Sequence, residues 1–189
     1  MCNLIVLTGL DGSGTTSVAE KLHKLDAGSA LLNGINEPYS TVREAIDHVT
    51  RVDSPTAHYL FYLSANVHAS FLIENALKSR NVYCVRHLID TVVSHRVSGL
   101  NVDLVYETDS YKIRKPNLIV FLSVEEALRQ ERLEKRGKSY LDRTLDNDSF
   151  RDKFLKEFKS FSGHFKTVNV SGKTVLQIAE EIRTLMNFL

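Results

Sequence analysis

Residues 4–22 read LIVLTGLDGSGTTSVAEKL. The apolar run at 4–7 has the pattern of a short buried strand, and Val18, Leu22 and Leu25 then share one helical face. Between them, Gly9 to Thr16 follows the phosphate-binding pattern G-x-x-x-x-G-K-[ST] at every fixed position but one. Thr15 stands where the pattern has lysine. A strand, a glycine loop and a helix in this order turn backbone N–H groups onto phosphate oxygens, and the helix N-terminus adds its positive dipole end. Gly9, Asp11, Gly12, Ser13, Gly14, Thr15, Thr16 and Ser17 are therefore the candidate cradle for ATP, with the Thr16 hydroxyl placed for Mg²⁺. A threonine at 15 supplies a hydrogen bond but no charge, so another cation must offset the β- and γ-phosphates.

The pattern continues outward from this loop. Short apolar runs at 4–7, 30–32, 82–85, 118–122 and 167–170 alternate with segments of helical period. This predicts an α/β fold: a doubly wound, five-stranded parallel sheet with helices on both faces. Ser123-Val-Glu-Glu126 reads as a capping box opening a helix that runs to about Arg136. Val175, Ile178, Ile182, Leu185 and Leu189 form the apolar stripe of a last helix. Gly172-Lys173-Thr174 imitates a phosphate-loop ending but lacks the upstream glycine, and it reads as the turn into that helix. Residues 137–147 are polar, carry charge of both signs, and read as a loop or mobile lid between two helices.

Bulk properties narrow the function classes. A chain of 189 residues suits one domain. A net charge of +1 gives no footprint for a nucleic acid polymer. Two cysteines without a CxxC pair suggest a reducing compartment. The apolar stretch at 4–10 is too short for a signal peptide, and no run approaches the roughly 20 residues that span a bilayer. The expectation is a cytoplasmic protein with no membrane partner. The seven histidines show no metal-ligand spacing, and the aromatic clusters at 58–62 and 150–165 read as helix packing.

Several segments together resemble the thymidylate kinase family over most of the chain. These are the loop Gly9-Leu-Asp-Gly-Ser-Gly14, Glu37-Pro38 after the second strand, Leu63-Ser-Ala-Asn66 in a helix, and Arg86-His87 ending the third strand. Lys115 to Val124 is similar to the family's Pro-Asp strand, and Arg132-Leu-Glu-Lys-Arg136-Gly137 to its R-x-x-x-R-G lid hinge, followed by Asp142-Arg143. The resemblance implies a P-loop kinase that moves the γ-phosphate of ATP, with Mg²⁺, onto a nucleoside monophosphate, dTMP first. It implies that Arg86 grips the acceptor phosphate, that Asp11 points toward the acceptor sugar, and that Glu37 lies near that sugar or the metal. Tyr62 and Asn66 would line the acceptor site. Arg132, Arg136 and Arg143 would bring cations from the lid, offsetting the neutral Thr15. Arg129, Arg132 and Arg136 fall on one helix face leading into that lid. The family is commonly dimeric, so a homodimer is allowed.

Four positions depart from the family pattern. Val85 replaces the Asp of an Asp-Arg pair, Val67 an Arg that reaches the nucleotide, Leu63 a stacking Phe, and Asn36 a frequent Arg. Two alternatives stay open. One is a weak or inactive nucleotide-binding homologue with a structural or regulatory role; the other is a P-loop kinase for a different small acceptor.

Overall fold

The computed structural model describes residues 2–138 and 140–188. In chain order the elements are β1 (Leu4–Thr8), α1 (Thr15–Leu25), β2 (Ala30–Asn33), α2 (Tyr39–Thr50), α3 (Pro55–Leu77), β3 (Val82–Val85) and α4 (Leu88–Val97). There follow β4 (Leu118–Ser123), α5 (Glu126–Arg136), α6 (Tyr140–Thr144), α7 (Asp148–Ser160), β5 (Lys166–Asn169) and α8 (Val175–Met186). The five strands form one sheet in the order β2-β3-β1-β4-β5. Every pairing is parallel, with Val6 opposite Cys84 on one side and Ile119 on the other.

Side chains alternate across the pleat, so the apolar strands feed two cores. Leu4, Val6, Val82, Cys84 and Phe121 pack under α3, α4 and α7. Ile5, Leu7, Tyr83, Val120 and Val168 pack under α1 and α8 through Val18, Leu22, Ile178 and Ile182. Helices on both faces explain why the central strands are apolar throughout rather than alternating.

Local expectations fare unevenly. The fifth strand spans Lys166–Asn169, one residue earlier than 167–170. α5 runs to Arg136, but its N-cap is Glu125 with no side-chain hydrogen bond. The Ser123 box does not form, because Ser123 is the last residue of β4 and its hydroxyl turns to the Val168 carbonyl. A true capping box opens α8, where Thr174 and Gln177 exchange hydrogen bonds. In the last-helix stripe Ile178 and Ile182 are buried, Val175 is exposed, and Leu189 lies outside the described residues. The segment at 137–147 is not a plain loop: it contains α6, and its Asp142 and Leu145 are buried. Among the described residues, no helix is long and apolar enough to cross a membrane.

Candidate active site

The glycine loop joins β1 to α1 at the carboxyl edge of the sheet, where open α/β sheets place their ligands. Gly9 cannot carry a side chain, since a Cβ there would lie 2.7 Å from the Leu122 carbonyl oxygen. Gly14 caps α1 in a left-handed conformation without a side-chain hydrogen bond, which leaves the first-turn N–H groups for an anion. Ser13 Oγ is buried and has no hydrogen-bond partner among the described residues, a condition that a phosphate oxygen would relieve. The Thr16 side chain is exposed, whereas Thr15 is buried. These residues fit a triphosphate and its cation.

Arg86 ends β3 with φ 66°, a left-handed conformation that costs a non-glycine residue about 1–3 kcal/mol. The turn sends its guanidinium back onto the phosphate loop. Nη1 donates to the Gly9 carbonyl at 2.6 Å and to Asp90 at 2.8 Å, and Nη2 donates to Asp11 at 2.7 Å. Burial opposes the charge, but the Asp11 and Asp90 carboxylates override it and hold the guanidinium pKa above its ordinary value. Asp90 also accepts from the Thr8 hydroxyl at 2.6 Å and, in the first turn of α4, from the His87 N–H at 3.0 Å. The sequence reading missed Asp90. Its spacing of four from Arg86 was the available signal.

A cavity of about 390 Å³ opens beside Arg86. Asp11, Tyr62, Asn66 and Arg86, four of the five residues that the family resemblance assigns to the acceptor, line it beside Gly9 of the glycine loop. Glu37 does not. It accepts hydroxyl hydrogen bonds from Ser40 and Thr41 at the start of α2, and these lower its pKa. Two further lining residues that no spacing in the chain connects, His58 and His95, stand on this wall, and Asp47 lies behind His58. His95 Nδ1 lies 2.6 Å from the Thr91 carbonyl and so carries a proton. Its Nε2 accepts from His58 Nδ1 at 2.8 Å, and His58 Nε2 faces Asp47 at 2.8 Å. Tyr62 donates to the same carboxylate, which Arg51 approaches at 2.9 Å. Burial works to raise the Asp47 pKa, yet the contacts with His58, Tyr62, Arg51 and Arg43 bring it to about 2. Burial pushes His95 down to about 4 and Tyr62 up to about 12. The 58–62 cluster is therefore site wall as well as helix packing. From the 150–165 cluster, Phe154 and Phe158 pack in the core and also border the cavity.

The three arginines of α5 have separate fates. Arg129 is fully buried, bonded to Glu126 at 2.7 Å, to the Asp11 carbonyl at 3.2 Å and to the Leu145 carbonyl at 3.3 Å. It clamps the phosphate loop to α5 and the 137–147 segment, so it is not part of a solvated face. Arg132 lies against the loop, 3.3 Å from the carbonyls of Gly12 and Ser13. Arg136 donates to the buried Asp142 at 2.8 Å, and Arg143 is exposed.

The thymidylate kinase family profile matches residues 7–182. A probable thymidylate kinase of Methanocaldococcus jannaschii is 26% identical over 94% of this chain and 92% of its own. A thymidylate kinase of Mycoplasma mobile is 26% identical over 94% of this chain and 90% of its own. Among solved structures, Candida albicans thymidylate kinase superposes with a TM-score of 0.74 at 18% identity, covering 99% of this chain and 92% of that one. Deoxyadenosine kinase from M. mycoides shares the fold at TM-score 0.66 and 17% identity, covering 98% and 100%. Matched by that profile over residues 7–182, the chain belongs to the thymidylate kinase family, a family of ATP-dependent nucleoside monophosphate kinases.

Proposed function

We propose that this protein transfers the γ-phosphoryl group of ATP to the phosphate of dTMP. The observation that carries the reading is Arg86: one guanidinium touches the phosphate loop through Gly9 and Asp11 and also borders the acceptor cavity. That is where a phosphate acceptor must sit to meet a γ-phosphate in line. Arg86 orients the acceptor phosphate, and a planar guanidinium suits this work. Residues 9–17 hold the triphosphate of ATP through main-chain N–H groups. A Mg²⁺ ion held by the Thr16 hydroxyl would offset charge between the β- and γ-phosphates. Arg132 supplies the charge absent at Thr15, since of the three candidate lid arginines it alone touches the loop. Arg136 and Arg143 reach the phosphates on closure of the segment at 137–147, which excludes water and strengthens each contact. Asp11 faces the acceptor sugar, with Glu37 at the edge of the site; Tyr62 and Asn66 face the base. The protein works in the cytoplasm, and a homodimer is in keeping with its family.

A second reading has one observation in its favour. Arg86 is already matched by two carboxylates, as suits a nucleotide-binding homologue of slow turnover. A coupled ADP-release assay with Mg·ATP and a panel of nucleoside monophosphates separates the two. Acceptor-dependent ADP release supports the kinase. ATP binding without release, whatever the acceptor, supports the second reading.

A further inference from the structure

A guanidinium carries five N–H groups, and the partners of each decide what Arg86 can offer a ligand. Nη1 directs both of its own at protein oxygens, the Gly9 carbonyl at 2.6 Å and Asp90 at 2.8 Å. Nη2 gives one to Asp11 at 2.7 Å. Nε–H and the second Nη2–H meet no acceptor among the described residues, and Arg86 borders the acceptor cavity. Two free donors on one guanidinium match two oxygens of a phosphate.

The two carboxylates on Arg86 are held differently. Asp90 stands in the first turn of α4 with its side chain 10% exposed. Its Oδ1 accepts from Arg86 and from the Thr8 hydroxyl at 2.6 Å, and its Oδ2 accepts from the His87 N–H at 3.0 Å. Donors from β1 and from the turn between β3 and α4 thus fix it in place. Asp11 sits on the phosphate loop, its side chain 28% exposed, with Arg86 as its one side-chain partner among the described residues. Without Asp90, one Nη1–H would be released, and the guanidinium would close a bidentate pair with Asp11 that turns its donors from the cavity. Charge gives no competing reason for Asp90. One guanidinium against two carboxylates leaves one negative charge in excess, which opposes an incoming phosphate.

We infer that Asp90 is a positioning residue: it fixes the Arg86 guanidinium so that Nε–H and the second Nη2–H remain for the phosphate of the acceptor. This rests on the proposed nucleotide kinase reading and deepens it, naming the residue that aims Arg86.

The test is calorimetric binding of dTMP, and of thymidine, which lacks the phosphate, to the full chain as wild type, Asp90→Asn and Thr8→Val. ADP release is measured separately. Asp90→Asn must set its amide N–H against either Arg86 or the His87 N–H. Thr8→Val keeps the Asp90 charge and removes one of the hydrogen bonds that hold it. Wild type should bind dTMP at least about 10-fold tighter than thymidine, the lower range for a charge-assisted hydrogen bond. Asp90→Asn should weaken dTMP binding about 10-fold and thymidine binding by less than about 2-fold. Thr8→Val should weaken dTMP about 3-fold, again with thymidine unchanged. Equal losses for dTMP and thymidine overturn the inference, because a general disturbance of the fold would produce them. So does a wild type that binds the two alike. Undiminished or tighter dTMP binding by Asp90→Asn also overturns it, as the outcome for a residue that acts by charge alone. If Asp90→Asn does not fold, Thr8→Val decides: a loss confined to dTMP upholds the inference, and no loss overturns it. A loss confined to dTMP in a chain that releases no ADP upholds the role of Asp90 and sinks the kinase reading. Release of ADP with an unchanged dTMP KM in Asp90→Asn does the reverse. No binding of dTMP by wild type overturns both.

Discussion

The Arg132 guanidinium rests 3.3 Å from the carbonyl oxygen of Ser13, inside the loop whose lysine position is Thr15. A cation carried by α5 thus sits beside the phosphate cradle rather than within it. Charge stabilisation depends on where the cation lies, not on which element carries it.

Arg132→Ala should therefore lower kcat about 1,000-fold or more, the lower range for a phosphate-directed arginine. Thr15→Ala should cost about 1 kcal/mol, one neutral hydrogen bond. Thr15→Lys should partly restore Arg132→Ala. Steady-state rates for the single and double variants decide it; an Arg132→Ala enzyme at wild-type rate would remove Arg132 from the chemistry.

Gly12 tests how tightly the loop is pinned. It has φ +89°, and a Cβ would lie 2.9 Å from Arg129 Cγ, part of the buried clamp. Gly12→Ala should lose about 1–3 kcal/mol of stability and weaken ATP binding. Gly28 has φ +90° with nothing within 4 Å, so Gly28→Ala should show only the backbone cost, about 1–2 kcal/mol, and leave ATP binding alone. Denaturant midpoints and ATP titration of the two variants make the comparison.

Acid should destabilise the fold through its buried histidines. Burial lowers His87 and His95 from 6.5 to about 4. Their folded values lie below the unfolded ones, so the unfolded chain binds more protons between them. Their neutral forms fit the fold fully above about pH 6.5, and stability falls as pH drops from there toward about 4, by up to about 1.4 kcal/mol per pH unit for each histidine. Urea unfolding at pH 7, 5.5 and 4.5 should show this slope, and His87→Phe should reduce it by roughly half. A flat profile would contradict the burial of these rings as neutral groups.

The parts of this site that were legible in the sequence are those built from neighbours in the chain. The loop at 9–17 is one continuous turn, and the buried β1 and β3 runs announce a two-faced sheet. Arg86 was legible because it directly ends β3. Asp47, His58 and His95 come from three helices that meet only once the sheet has formed, so no spacing in the chain connects them. Arg43, Asp47 and Arg51 do fall at helical intervals of four, but ion pairs at that spacing are equally common on solvent-facing helices and so do not point to a cavity. The Ser123 box failed for a different reason: strand pairing took the residue that local propensity gave to a helix cap. The departure at Val85 also looks different in three dimensions. A carboxylate absent there is found at Asp90 instead, in the first turn of α4 and 2.8 Å from Arg86.

The most direct test of the account is the dTMP dependence of ADP release by wild type and Arg86→Ala under saturating Mg·ATP. The account predicts acceptor-dependent release by wild type. It predicts that Arg86→Ala raises the dTMP KM or abolishes turnover, a loss of about 2–5 kcal/mol, with a clearly smaller loss of ATP affinity from its contacts with Gly9 and Asp11. Release that ignores dTMP, or an Arg86→Ala defect shared equally by ATP and dTMP, would contradict it.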